Sequence, residues 1–499
     1  MTCSRRLCGL VLGLVSLCSG NPAPAAEATE ARIASVVSRL APAVQIAGEL
    51  QHFELAARME HYEVPGVSIA VARDGRIDWA RGFGVLAAGG DQRVDAETLF
   101  QAASISKPVT ALATLRLVDR GDLDLDVDVN QYLRSWQVPE GEQSAENPVT
   151  LRRLLSHTAG TTVHGFGGYA VGTEVPSVVQ ILDGLPPANS PPVRVDRSPG
   201  EIYRYSGGGT TIEQLVLTEI SGHSFAELMR AQVLDPAGMA RSDFAQPLDG
   251  ELSINAARGH RSGEVISGEW RVHPELAAAG LWTTSGDLLR FALVVRDAYY
   301  DAEGALVSQA LAREMLTPVE IEGGVAGHGL GPGVAGSGAM HRFFHGGSNV
   351  GYRAMLVCYV ESGDGAAIMT NGDQGTQLFA EILRAVAVEY DWPGDDFRPK
   401  VRHPKAVAPR ELRRLTGTFR VDDEGPHEGA SFRITIADGM LQLRIGLDRA
   451  RRFRPESEEK FFQIDANAEL RFERDDDDVL VAILFERGHE IFRGRRVRR

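Results

Sequence analysis

A hydroxyl and an amine stand one helical turn apart at Ser104 and Lys107, within Ala103-Ser104-Ile105-Ser106-Lys107-Pro108. The apolar run from Val109 to Val118 reads as a buried helix with Ser104 at its start, and residues three apart on a helix share a face. A serine hydroxyl is a weak nucleophile until a base takes its proton. A lysine serves as that base when burial or a positive neighbour, such as a helix N-terminus, favours its neutral form. The pattern alone is common: Ser457-Glu458-Glu459-Lys460 repeats it in a charged stretch that reads as an exposed turn. What separates the first copy is that Lys107 is the only lysine before Lys400. Arginine carries the positive charge elsewhere in that stretch, and arginine cannot deprotonate. The plain alternative is a helix cap at Ser104 with a solvated Lys107.

Further along, Tyr205 lies in the turn of small residues Tyr205-Ser206-Gly207-Gly208-Gly209, ahead of a helix expected over Thr210–Ser221. Its phenol is placed to share or relay a proton lost by Ser104. In Phe343-Phe344-His345-Gly346-Gly347-Ser348 the two glycines let a strand edge lie against a substrate. The Ser348 N–H, with that of Ser104, could form an oxyanion hole. His157 closes a capped short helix in Thr150–Gly160 and reads as bonded to local backbone rather than as a base. Aspartates at 122, 124, 126 and 128 lack the glycine and distal glutamate of a calcium loop and read as solvated. Neither a metal nor a cofactor is expected.

These groups need a scaffold, and 499 residues suggest more than one domain. Arg5 and Arg6 precede the apolar run Leu7–Leu17, and Ala23-Pro24-Ala25 is an A-x-A-like cleavage site. Residues 1–26 therefore read as a signal peptide, too short to span a membrane, and export to a periplasm or medium is expected. Cys18 follows a poor lipoprotein site, since Leu17 is large; lipid anchoring there is the lesser alternative. Cys3, Cys8 and Cys18 belong to this leader, which leaves Cys358 as a small core residue with no disulfide partner. The net charge of −15 gives no reason to expect nucleic-acid binding. Ala31–Tyr62 reads as one or two helices, and Val67–Ala72 with Ile77–Phe83 as a hairpin. Gly165–Pro192, rich in Gly and Pro, reads as largely loop and is expected to rim a cleft, and Ala380–Tyr390 reads as a closing helix. The proline-rich stretch 393–410 reads as a linker. From 411 to 499, seven short alternating strands suggest a small barrel, followed by a solvated basic end, Arg493 to Arg499.

The motifs Ser104-Ile105-Ser106-Lys107, Tyr205-Ser206-Gly207 and His345-Gly346-Gly347, in that order, resemble the serine beta-lactamase/penicillin-binding superfamily, in its class C beta-lactamase and D-alanyl-D-alanine carboxypeptidase-like branch. The likeness runs from about residue 50 to about residue 390 and includes Leu154-Leu155-Ser156-His157-Thr158 and Ala279-Gly280-Leu281-Trp282. It implies an α/β (α+β) fold over 45–392, an antiparallel sheet flanked by helices with a helical subdomain, and an appended all-β barrel. It implies that Ser104 is acylated, that Lys107 and Tyr205 act as bases, and that His345 contacts substrate and the tyrosine. Gly346, Gly347 and Ser348 would bind substrate, Ser348 through the second oxyanion N–H. Gly207 holds the place of the family's asparagine, so the substrate site would lack a side-chain amide there. Gly346 replacing the usual Thr or Ser is a milder change. The implied function is an exported serine hydrolase acting through an acyl-enzyme on an ester or amide (peptide, D-amino-acid or beta-lactam-like), with esterase or peptidase activity favoured over dedicated beta-lactamase activity. The alternative is a sensor or regulator that acylates or binds ligand with little turnover. The implied partner is a small ester, peptide or cell-wall-like substrate, with no nucleic acid and no stable membrane span.

Overall fold

The computed structural model describes residues 22–497 except 249, 322–323, 422–428, 446–449, 464–467, 478 and 488–489. The leader's apolar run, its three cysteines and the last two arginines lie outside the described residues. No helix among the described residues is long and apolar enough to cross a membrane.

The N-terminal stretch forms two helices, α1 (Pro22–Ser38) and α2 (Leu55–His61), separated by a short strand, Val44–Ile46. Six strands build the central sheet: β1 (Gly66–Arg73), β2 (Arg76–Gly84), β3 (Gly333–Ala335), β4 (Arg342–Asn349), β5 (Tyr352–Tyr359) and β6 (Gly365–Thr370). Their order is β3-β4-β5-β6-β1-β2, and every pairing is antiparallel. The β1–β2 turn is Asp74-Gly75, both at positive φ, which matches the twist of a two-residue hairpin.

Both faces of the sheet are covered. Val67, Ile69 and Val71 of β1 pack with Ile33 and Val36 of α1 and with helix α6 (Gly375–Glu389), through Leu378 and Ile382. Ala70 and Ala72 face the other way, into the core shared with helices α3 (Ser106–Asp119), α4 (Gly207–Ser221) and α5 (Ser285–Tyr299). That second core belongs to the helical half of the molecule, and the nucleophile candidate sits where it meets β4. Cys358 on β5 is buried and free.

Several local expectations change. Gly165–Pro192 is largely loop, as expected, but also holds the helix Val178–Asp183, started by a Ser177/Gln180 capping box, and Tyr169–Ala170, paired with Arg271–Val272. The aspartates between 122 and 128 are not merely solvated. Asp128 caps a short turn through Asn130 N–H, and Asp126 pairs with Arg152. The stretch 393–410 is also more than a connector. Lys400–Arg402 pairs in parallel with Val44–Ile46, tying the chain after the sheet back to its start.

The C-terminal part is a closed barrel of eight strands rather than seven: β7 (Gly417–Val421), β8 (Ser431–Ala437), β9 (Met440–Ile445), β10 (Arg451–Pro455), β11 (Lys460–Gln463), β12 (Glu469–Arg474), β13 (Leu480–Arg487) and β14 (Glu490–Arg496). The unforeseen strand is β10, Arg-Arg-Phe-Arg-Pro, in which only Phe453 turns inward. Phe419, Phe432, Phe453, Phe461, Phe472, Phe485 and Phe492 fill the interior, so it is a packed core. Arg493 and Arg496, expected in a solvated tail, are barrel residues: Arg493 pairs with Glu473 and Arg496 donates to Thr416 O.

The barrel meets the rest of the chain through Phe462, packed on Val44 and Ile46, and through Arg402, which is buried and paired with Glu456 and Glu469. Lys460 also reaches both carboxylates, and Arg471 reaches Glu469. Burial works to raise the Glu469 carboxyl, but Arg402 and then Arg471 outweigh it and hold it down at about 2. A carboxyl depressed in the folded state stabilises it above the unfolded value of about 4.3, and that stability is lost as pH falls toward the folded value. The barrel's thermal transition is therefore expected to drop between about pH 4.5 and pH 2. Glu469→Gln should flatten that part of the profile in a calorimetric pH series, and an unchanged slope would mean that the cluster does not hold the barrel.

Candidate active site

The segment before Ser104 is fixed on both sides. Phe100–Gln101 pairs with Trp282–Thr283, and Ala102 N–H donates to Leu281 O at 2.9 Å. Ala103 then takes φ +51°, a conformation that costs a non-glycine residue on the order of 1 kcal/mol or more. Ser104 lies in a single 3₁₀ turn, Ala103–Ile105, ahead of α3, rather than in the helix itself. Ser106 locks this turn: its Oγ donates to Ala103 O at 2.6 Å and accepts from Leu281 N–H at 3.0 Å. Within Gln101–Thr110 only Ser104 escapes full burial.

Lys107 is 4% exposed. Its Nζ donates to Ser104 Oγ at 3.2 Å and to Ala278 O at 2.9 Å, and lies 4.9 Å from the centre of the Tyr205 ring. Among the described residues no carboxylate is paired with it. The nearby carboxyl of Glu213 is pushed up to about 8 by burial, against the pull of its Thr114 hydrogen bond and of Lys107. The Ala278 carbonyl is held in turn by Gln214 of α4, which accepts from Ala277 N–H and donates to Pro274 O. One helix therefore positions both the lysine's anchor and, just before its first turn, Tyr205.

Tyr205 precedes the α4 cap, Ser206, whose Oγ accepts from Gly209 N–H and donates to Thr162 O. His157 was expected to bond backbone close by. Instead it bonds backbone far along the chain: its Nδ1 accepts from Ser206 N–H at 3.3 Å, and its carbonyl accepts from Arg204 N–H at 2.8 Å. Its ring lies 4.3 Å from that of Tyr205. Burial, then the neighbouring His328 and Lys107, pushes this imidazole well below its ordinary value, so it is a neutral brace for the tyrosine.

Strand β4 supplies the opposite wall. β3 pairs only with its first residues, Arg342 to Phe344, so from His345 onward the edge away from β5 is open beside Ser104. Gly346 and Ser348 are exposed. Gly347 has a different task from the one expected: a Cβ there would stand 2.1 Å from Ala102 O, so glycine allows β4 to press on the nucleophile turn itself. His345 Nδ1 lies 2.7 Å from Gly346 O. A carbonyl only accepts, so Nδ1 carries the proton and Nε2 is an acceptor. Burial, then Lys107 and His328, lowers this imidazole to about 3. It is uncharged near neutrality and is no cationic clamp.

Ser104, Tyr205, His345, Gly346, Gly347 and Ser348 line one cleft of about 620 Å³. Lys107 lies beneath it. Gly207 does not line it: its Cα side is filled by Phe166, whose Cε2 would be 3.0 Å from a Cβ, and by His164 O at 3.2 Å. The cleft also takes His164, Tyr203, His328, Phe344, Arg353 and Phe379, none of which the sequence singled out. His328 stacks on Tyr203 at 4.9 Å between ring centres and is lowered to about 4 by burial. Arg353, the cleft's one guanidinium among the described residues, is occupied: it donates to Asn349 O and Tyr352 O and pairs with Asp373. Of the long segment expected to rim the cleft, only its approach, His164, does so. An arrangement of this kind can activate a hydroxyl, hold an acyl group on it and exclude a fixed counter-charge from the substrate.

The family model Beta-lactamase matches residues 54–390. Penicillin-binding protein 4 of Amycolatopsis lactamdurans is 27% identical over 389 residues, 74% of this chain and 97% of that protein. Esterase EstB of Burkholderia gladioli is 30% identical over 187 residues, 36% of this chain and 47% of that protein. The octameric penicillin-binding protein homologue from Pyrococcus abyssi superposes with a TM-score of 0.55 at 22% identity, over 88% of this chain and 98% of that one. With a serine and a lysine joined at the mouth of a cleft between an antiparallel sheet and a helical half, the chain belongs to the beta-lactamase family of serine hydrolases.

Proposed function

We propose that this serine hydrolase is exported and cleaves small uncharged esters through an acyl-enzyme on Ser104. The Lys107–Ser104 contact at 3.2 Å carries the reading. Lys107, with Tyr205 as relay, takes the Ser104 proton as Oγ attacks the ester carbonyl. The Ser104 and Ser348 N–H groups receive the negative oxygen. Collapse breaks the ester C–O bond, and the relay returns the proton to the departing alkoxide. Water then attacks the acyl-enzyme and gives its proton to the same relay, which returns it to Ser104 Oγ as the acyl C–O bond breaks and the acid leaves. The leader at 1–26 supports export, and a name such as Esterase EstB supports ester cleavage.

The preference for uncharged esters follows from two features. Neutral His345 and occupied Arg353 offer no free cation to a substrate carboxylate. Gly207, packed by Phe166, offers no amide to a substrate amide, and an unpaired buried amide costs about 1–3 kcal/mol, or about one to two decades in rate. For a short-chain aryl ester, kcat/KM is expected to exceed that for a chromogenic cephalosporin by at least about tenfold. Gly207→Asn alone should narrow the gap little, because Phe166 stands in the way; Phe166→Ala with Gly207→Asn should narrow it more. Efficient cephalosporin turnover with negligible ester hydrolysis by the unaltered protein would overturn the ester reading.

A further inference from the structure

The barrel's docking side and its opposite wall differ in charge. Phe462 of β11 packs on the body of the molecule, and Glu469 of β12 holds Arg402. In the closed eight-strand order, β7 and β8 therefore lie across the barrel from the contact. Around that far wall four adjacent strands carry outward arginines, Arg495, Arg420, Arg433 and Arg444, and Arg452 extends the row on β10, next to the docking strand β11. Arg420 faces Arg495 across one ladder, and Arg433 faces Arg444 across another. Like charges directly opposite weaken a sheet. No outward position on β7 to β10 is acidic; those between the arginines are Thr418, Ser431, Thr435 and Gln442. Among the described residues Arg433, Arg444 and Arg452 make no ion pair, and all three are exposed. The barrel region, residues 411–499, is close to neutral, with 18 basic and 19 acidic side chains, so the acid excess behind the chain's −15 falls on the rest of it. The gathering of arginine on one wall of a near-neutral barrel, rather than its net charge, points to an anionic partner.

The choice of residue narrows the partner. Arginine holds phosphate oxygens bidentately, where lysine is a point charge. Ile491, on the outward face of β14, and Val497, just past its end, are 61% and 48% exposed and flank Arg493 and Arg495. Arginines flanked by bare aliphatic side chains suit lipid headgroups and the acyl region just below them. A nucleic-acid wall stacks bases on aromatic rings, and among the described residues none of the barrel's exposed large apolar side chains is aromatic.

We propose that this wall docks the barrel on a membrane surface rich in anionic phospholipid, with the acidic, cleft-bearing body on the side away from the lipid. The test is cosedimentation of the full chain with vesicles of phosphatidylcholine alone, or with about a third phosphatidylglycerol, at about 50 and 500 mM salt. Binding is expected only to the anionic vesicles and only at low salt. Arg433→Gln with Arg444→Gln should weaken it about twentyfold or more, at roughly fivefold per arginine, and Arg433→Glu with Arg444→Glu should abolish it. Ester hydrolysis by both variants should stay within about twofold of the unaltered protein, as for surface changes far from a site, and their calorimetric transitions should match its own, which shows that body and barrel both fold. No binding to anionic vesicles, equal binding to neutral ones, binding untouched by the paired substitutions, or tighter binding to duplex DNA at the same salt would each overturn the proposal. None of these outcomes bears on ester cleavage at Ser104.

Discussion

Lys107→Arg is expected to lower turnover by roughly 10²–10⁴-fold, the usual worth of general-base help, and to approach the damage of Ser104→Ala, because members of one catalytic unit are strongly non-additive. Arginine keeps the positive charge, and its guanidinium could still donate toward Ala278 O. What it cannot do is give up a proton and take one from Ser104. The substitution therefore separates a lysine that transfers protons from one that merely braces the nucleophile turn. The site is built for the former: Lys107 is buried, its Nζ lies 3.2 Å from Ser104 Oγ, and it has no carboxylate paired with it among the described residues. Steady-state kinetics on an aryl ester, with a thermal melt to verify folding, decide the matter. If the arginine variant keeps more than about a tenth of kcat, a proton-transfer role is ruled out.

Gly347→Ala is expected to cost about 100-fold or more in kcat/KM, the order of loss that a 1 Å misplacement of reacting groups produces. A Cβ at 347 meets Ala102 O at 2.1 Å and Ala102 C at 3.1 Å. Both atoms are backbone, in the segment that sets the strained φ of Ala103, so neither can swing aside as a side chain would. Either β4 retreats from the nucleophile turn or the turn shifts, and both move Ser348 relative to Ser104. Overpacking of this kind also costs about 1–3 kcal/mol of stability. Gly346→Ala is the comparison, since its Cβ would have no neighbour closer than 3.8 Å. Equal activity in the two alanine variants would show that the close approach of β4 does not position the site.

The groups that read clearly in the sequence are those whose spacing is itself the signal. Ser104 and Lys107 meet because one turn separates them. Tyr205 and the His345-Gly346-Gly347 run stand out as polar or flexible residues flanked by strongly patterned elements. The β1–β2 hairpin was legible because Asp74-Gly75 has one preferred turn. Gly347 was legible as a glycine but not in its role, since nothing local says that the opposing atom is Ala102 O rather than a substrate. His328, Tyr203 and Arg353 reach the cleft from separate segments, and Phe166 reaches Gly207, by tertiary packing alone, and no local pattern marks them. The barrel strand β10 escaped notice because a single inward Phe453 among arginines shows no alternation. The strand Lys400–Arg402 was hidden by the prolines that flank it, Pro399 and Pro404, and its meaning depends on a partner, Val44–Ile46, some 350 residues earlier.

The central claim is an acyl-enzyme formed on Ser104 with Lys107 as its base. Intact-mass analysis after a fluorophosphonate, followed by peptide mapping, tests it most directly. The expected result is one adduct per chain, located on Ser104, absent from Ser104→Ala and slowed roughly 10²-fold or more in Lys107→Arg. An adduct on any other residue, or labelling of Lys107→Arg as fast as the unaltered protein, would contradict it.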